Sequence, residues 1–402
     1  APTAMLGIGV ENAAFAPSED GLVASAKISR GSYSFAVPGD GPDNQHYWSL
    51  PAGESTISAG LPVEMSTQPT GVYKYEIQAS SGRVLRDTNG DISVREATEL
   101  SGRFAIVNSV TSVFGAGWGL AGLQEVIEGP DNSLLLIDGD GSQTIFGGQR
   151  RDPTPPPVEE PPPAAAAAIV AEAEGGVTTS RVFASPLGDY SVAEKMSDGS
   201  FRRMMTDQTE YQFNAAGKLV STRLRTGQET RFEYDANGRI QRIIDPAGLE
   251  TTFTYTGSFV SEITDPAGRI TRLEHDSAGD LVKVTYPDDT VATFEYNRHL
   301  VVASVDAEGN RYEFQYDAAN RLIGIQQPDG GRQAIRSADS AKLAAGDTTN
   351  RAAAPLASSS EGTRAFYSDG AGRTTAFSLD RAGQLAAESD GAGAKLQQQR
   401  DV

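Results

Sequence analysis

The sequence predicts an all-β fold, with an N-terminal β-sandwich-like domain followed by a long strip of β-hairpins. Three observations carry this. Similar units recur about every 21 residues between Phe213 and Tyr316. Other stretches alternate apolar and polar residues with the period of two that a half-buried sheet face demands. Finally, 43 Gly and 21 Pro in 402 residues favour many turns over long helices.

Five zones follow in order. Residues 1–110 read as the sandwich-like domain. In Tyr73-Lys74-Tyr75-Glu76-Ile77-Gln78 the apolar positions share one strand face, and Phe104-Ala105-Ile106-Val107 is a further short strand. Pro38-Gly39-Asp40-Gly41-Pro42 and Asn89-Gly90-Asp91 are turns between such strands. Residues 111–151 form a denser lead-in element. Its Phe114-to-Leu123 stretch mixes Gly with large apolar residues, so that backbone can approach backbone while Phe114 and Trp118 fill a core. Leu134 to Ile137, the turn Asp138-Gly139-Asp140-Gly141, and Thr144 to Phe146 read as a hairpin. Residues 152–176, rich in Pro and Ala, are expected to be a linker or insertion. Residues 177–336 are the hairpin strip, and the Ala/Ser/Gly-rich residues 337–402 are expected to be degenerate repeats or a disordered tail.

The strip aligns on Phe213, Tyr234, Tyr255, His275, Tyr296 and Tyr316, at spacings of 21, 21, 20, 21 and 20. Each unit holds two strands and two turns. In the fullest one, Asp235 can bond its own turn backbone and Gly238 can take a positive φ. Arg239-Ile240 then opens the outgoing strand, and Pro246 and Gly248 shape the return turn. Pro266 and Gly268, Gly279, Asp317 and Pro328 occupy equivalent turn positions in later units. One hairpin cannot bury its apolar face alone, whereas stacked hairpins share a core.

The Tyr234-Asp235-Ala236-Asn237-Gly238-Arg239-Ile240 unit resembles the YD repeat of the bacterial RHS family, which is related to toxin-complex shell components and to teneurin shells. The resemblance extends through Ser112 to Leu123, Leu136 to Ser142, and Pro186 to Ser191, covering about residues 60–336. It implies a β-strip that spirals into a shell, which in the family can enclose a C-terminal toxic domain freed by self-cleavage in a protease-like core segment. Neither such a core segment nor a toxin domain is recognisable after residue 336, and six clear units are few for a closed shell. What carries over is architecture, in either a fragment of a longer chain or a short relative with an open sheet.

Composition narrows the function. A net charge of −19 disfavours nucleic acid and anionic membranes as partners. The absence of Cys excludes disulfides, thiolate catalysis and Cys-based metal sites, and three His make a His-rich metal site improbable. No apolar run reaches the roughly 18 residues of a membrane helix, so no membrane insertion is expected. The chain opens on Ala1-Pro2-Thr3, as expected of a mature product or an excised piece. Asp87-Thr88-Asn89-Gly90-Asp91-Ile92-Ser93 spaces oxygens as calcium loops do, but Gly90 is at the fourth place and no Glu stands at the twelfth, so a hairpin turn is favoured. Asp138 to Gly141 carries the same two readings, and the resemblance favours a turn. The Asp-Pro pairs at 245–246 and 265–266 recur with the period and read as turn chemistry, and His275 as a half-buried sheet residue in the Tyr slot. No nucleophile elbow, P-loop or zinc-protease motif is present. No catalytic residue, metal or cofactor is therefore expected.

Two functions fit. One is a non-enzymatic scaffold, part of a secreted or cell-surface bacterial protein whose strip builds a shell wall or stalk and which in full length could carry a toxin. The other is a surface binding or adhesion module for a glycan or protein partner, motivated by Tyr47 and Trp48 beside a turn-rich stretch, although both also suit a sandwich core.

Overall fold

The computed structural model describes residues 3–11, 20–39, 44–49, 56–65, 67–83, 85–86, 92–93, 97–130, 132–147, 179–186, 189–317, 320–336, 363–379, 385–390, 392 and 394–397. Among them there is no α-helix, and none long and apolar enough to cross a membrane. The predicted linker, the Asp87-to-Asp91 loop and the side chains of Tyr47 and Trp48 lie outside the described set.

The N-terminal part is all β. A five-stranded antiparallel sheet runs Tyr33–Ala36, Asp20–Arg30, Gly71–Arg83, Ala97–Ile106, with His46–Ser49 also pairing with Asp20–Arg30. Thr3–Glu11 and Thr56–Glu64 form a separate antiparallel pair. Ile28, Tyr73 and Ile77 of the larger sheet bury against Val63 and Met65 at the end of that pair. Phe104 is the end of a ten-residue strand rather than the start of a short one, and its ring stacks on Tyr73 at 5.9 Å.

The lead-in is a three-stranded sheet, Glu125–Glu128, Leu134–Ile137 and Gln143–Phe146. Leu134, Leu135 and Leu136 are all buried, as expected of a strand covered on both faces. On one side Leu134–Ile137 meets Gly71–Arg83. On the other, Val126, Leu134, Leu136 and Phe146 pack against Phe183, Phe201, Phe213 and Leu219 of the strip.

The strip is one antiparallel sheet of 20 strands in sequence order, from Thr179–Phe183 to Lys395–Gln397. Its last four strands, Thr363–Ser368, Thr374–Leu379, Leu385–Ser389 and Lys395–Gln397, fall in the zone where degenerate repeats or a disordered tail were both open.

A simple alternation does not describe its strands. Ile240 and Ile243, Val260 and Ile263, Leu281 and Val284 are apolar pairs three residues apart, which a regular strand would send to opposite faces. The register resolves this. Glu233 faces Arg242 while Tyr234 faces Ile240, so Gln241 is an extra residue and Ile240 rejoins the face of Ile243. The same one-residue bulge recurs at Phe213, Tyr255, His275, Tyr296 and Tyr316. A bulge bends the strand that carries it and increases its twist. Recurring at one place in successive hairpins, it curves the sheet in one sense.

Candidate functional site: the braced apolar face of the strip

The site is built from the turn upward. Asp235 Oδ1 accepts from Asn237 N and Arg239 N at 2.9 Å each, and Oδ2 accepts from Arg239 Nε at 2.8 Å. Gly238 N donates to Asp235 O, and Gly238 sits at φ +74°, so the loop is a type I turn closed by a left-handed Gly. The same bonds recur at Asp265 with Arg269, Asp317 with Arg321, and Asp369 with Arg373. The Pro246-to-Gly248 and Pro266-to-Gly268 turns use the same geometry, with Gly248 at φ +82° and Gly268 at +77°.

These turns titrate. Bonds from the Arg239 backbone and guanidinium hold the Asp235 carboxyl below its ordinary range, and Asp265 and Asp369 are lowered in the same way by Arg269 and Arg373. A lowered carboxyl contributes stability above the unfolded value, about 3.9 for Asp, and loses it as pH falls through the folded value. The thermal midpoint is therefore expected to fall once pH drops below about 4. A melt series from pH 6 to pH 2.5 checks this; a midpoint that rises on acidification contradicts it.

Each Tyr of the repeat donates its hydroxyl to the carbonyl 15 residues earlier. Tyr234 reaches Leu219 O at 2.8 Å, Tyr255 Ile240 O at 2.6 Å, Tyr296 Leu281 O at 2.7 Å, and Tyr316 Val301 O at 2.8 Å. Every acceptor is the residue just before the extra residue of the preceding bulge, paired opposite the aromatic or His of the preceding unit. Burial raises all four phenols, pushing Tyr255 and Tyr296 up to about 12. Arg239 completes the link between hairpins, lying over the Tyr255 ring at 4.1 Å and donating to Gly257 O at 3.0 Å. Tyr255→Phe removes only the hydroxyl and leaves Ile240 O without that donor. It is expected to lower stability by about 1–2 kcal/mol, read by urea denaturation; an unchanged midpoint would show that the bond contributes nothing.

His275 fills the Tyr slot but bonds elsewhere. Its Nε2 lies 3.1 Å from Phe114 O, so the Nε2–H tautomer donates to that carbonyl. Its ring stacks on Phe259 at 4.7 Å. Val260, whose carbonyl a Tyr here would address, instead gives its N–H to Val113 O at 2.8 Å. The shorter side chain leaves room for the lead-in segment to lie on the apolar face.

That segment is a brace. Phe114 meets Phe253 edge-on at 6.2 Å, and Ala116 N donates to Gly279 O at 2.9 Å. Trp118 packs edge-on against Phe294 at 4.8 Å and donates from Nε1 to the Tyr296 hydroxyl at 2.7 Å. Gly115 is at φ +108°, where an added Cβ would lie 2.9 Å from Leu281 Cβ. The far side of the brace is held by the Asp138 turn. Asp138 Oδ1 accepts from Gly122 N at 2.7 Å and Oδ2 from Gln124 Nε2 at 3.0 Å. Its carboxylate is thus used as a clamp, and no group of three or more metal-ligating side chains occurs among the described residues.

Of the repeat positions singled out from sequence, Trp118, His275, Gly279 and Tyr296 come together at the brace. Tyr234, Asp235, Arg239 and Tyr255 form the hairpin link, while Tyr316, Asp317 and Pro328 lie further along the strip, beyond the brace. Sequence reasoning missed the Asp280 carboxylate, buried and 2.7 Å from His299 Nδ1. Arg298 and His299 both take positive φ there, 52° and 65°, in a two-residue turn without Gly.

Residues 190–343 match the family described as teneurin YD-shell. That stretch, less than half of the chain, is similar to a YD-shell segment. The upstream part of the resemblance, from about residue 60, lies outside that match. No curated protein matches the chain. Among solved structures, one similar chain belongs to the TcdB2-TccC3-TEV assembly, at 11% identity and TM-score 0.30, covering 82% of this chain and 21% of that one. Another belongs to the Tc holotoxin pore of Photorhabdus luminescens, at 12% identity and TM-score 0.27, covering 83% of this chain and 19% of that one. The chain thus spans about a fifth of the length of those chains. The matched stretch consists of stacked hairpins, braced on its apolar face by the lead-in.

Proposed function

We propose that this chain is a non-enzymatic piece of wall or stalk from an exported RHS-type protein, with the YD-shell segment as its load-carrying sheet. The observation that supports this reading is the bulge repeated in successive hairpins of a single 20-stranded sheet, a device that bends a sheet one way. In a longer parent chain such a wall would surround an enclosed C-terminal domain or meet a protein partner, outside the cell or at its surface. The carboxylates of Asp235, Asp265 and Asp317 serve turn bonds and ion pairs, in keeping with a structural role.

Negative-stain electron microscopy of the chain tests it. Twenty strands spaced at about 4.8 Å give roughly 90 Å along the sheet. Curved, wall-like particles of that arc length are expected, and round compact particles would overturn the reading. The second reading, a surface module for a glycan or protein, is favoured by one cleft in the N-terminal part, described next.

A further inference from the structure

A cleft of about 670 Å³ opens where the N-terminal sheet meets the lead-in, lined by Arg30, Ser32, Tyr33, Gln68, Tyr73 and Glu128 among others. Its volume suits a ligand of two to four sugar rings or a comparable small molecule. It is independent of the strip's apolar face and plays no part in the scaffold reading.

The walls are fixed. Gly129 N donates to Ser133 O, and a Cβ on Gly129 would collide with Ser133 Oγ and come within 3.0 Å of Val72, so the lead-in sits directly on the N-terminal sheet. Arg30 is positioned rather than loose. Its guanidinium lies 5.3 Å from the Tyr73 ring centroid, and Nη1 donates to Pro69 O at 3.2 Å and to the Tyr73 hydroxyl at 3.3 Å. Neither partner is a carboxylate, and Arg30 has no ion pair among the described residues. The one acidic group among the described lining residues, Glu128, is already taken by Arg181 at 2.8 Å and Lys195 at 2.6 Å. In a chain of net charge −19 this corner is locally cationic, and anionic ligands are the ones it attracts.

Across the Gly31-Ser32 turn, on the same wall, Tyr33 pairs with Arg30 and offers an aromatic face. Tyr33 is 51% exposed, with its ring 5.8 Å from Phe35 and its hydroxyl 3.5 Å from Gln68 Nε2. An exposed aromatic held beside an amide and a positioned guanidinium combines an apolar platform, a neutral hydrogen-bonding group and a planar fork for a carboxylate. We propose that this cleft binds a carboxylate-bearing saccharide, with Arg30 holding the carboxylate and the Tyr33 ring covering the apolar face of a sugar.

The test is calorimetric titration of the full chain with a hyaluronan tetrasaccharide, a neutral chitotetraose and free glucuronate. The acidic tetrasaccharide is expected to bind at least ten-fold more tightly than the neutral one, and far more tightly than glucuronate. Tyr33→Ala, an exposed position, is expected to weaken that binding five-fold or more with an unchanged thermal midpoint. Arg30→Gln is expected to erase the preference for the acidic sugar. Because Arg30 also rests on the core residue Tyr73, the Tyr33 variant decides the matter alone. Equal or absent binding of the two tetrasaccharides, an inert Tyr33→Ala, or glucuronate binding as tightly as its tetrasaccharide would each overturn the proposal, the last by reducing the site to a patch for any anion.

Discussion

Trp118→Ala is expected to destabilise the strip by about 3 kcal/mol. The figure sits at the low end for a Trp truncation because the ring is half-buried rather than fully enclosed. Three losses combine: the packing against Phe294, the Nε1–H bond to the Tyr296 hydroxyl, and the screening of Tyr296 from water. Tyr296 still keeps Leu281 O, so its hairpin stays formed while the brace lets go. Urea denaturation followed by far-ultraviolet circular dichroism gives the total. Combining Trp118→Phe with Tyr296→Phe in a double-mutant cycle isolates the hydrogen bond, which is expected to show a coupling of about 1 kcal/mol. Additive single effects would mean that the two side chains are merely neighbours.

Gly139→Ala is expected to cost about 3 kcal/mol although it adds a single methyl group. Gly139 lies backbone to backbone against the brace, and its Cβ would fall on Leu120 O, while a Cβ on Gly119 would fall on Gly139 O. Neither neighbour is a flexible side chain, so the strain passes into the backbone of the brace itself. The same turn presents Asp138 to Gly122 N and Gln124, so displacing it also loosens those bonds. Gly141, at φ +88° with open space around it, is the matched control. Gly141→Ala is expected to cost only the 1–2 kcal/mol of a left-handed backbone. Equal effects at the two positions would show that close approach is not what Gly139 provides.

The all-β class and the hairpin strip were legible because each turn is local. Asp235, Gly238 and Arg239 sit within five residues and make their bonds among themselves, so their pattern is complete in the sequence. The bulge left a trace too, in apolar pairs such as Ile240 and Ile243 that break the period of two. The brace was legible as a dense Gly-rich element, but not what it rests on. His275 and Phe114 are 161 residues apart and Trp118 and Tyr296 are 178 apart, and no local spacing records such a meeting. The His at a Tyr position was the one hint, but its significance depends on where the lead-in lies. The cleft likewise depends on how two separate sheets abut, through Val72 and Gly129.

The brace also changes what kind of folding unit the strip is. Hairpins that touch only their neighbours behave like beads on a line, able to open one at a time from either end. By touching Phe253, Val260, His275, Gly279, Phe294 and Tyr296 together, the lead-in ties several hairpins to a single event. Amide protons of the strands between Glu229 and Asn297 should then exchange with solvent as one block, at the rate of a shared opening. Those of Thr363 to Gln397, which no part of the brace contacts among the described residues, should exchange sooner and in graded fashion toward the free edge.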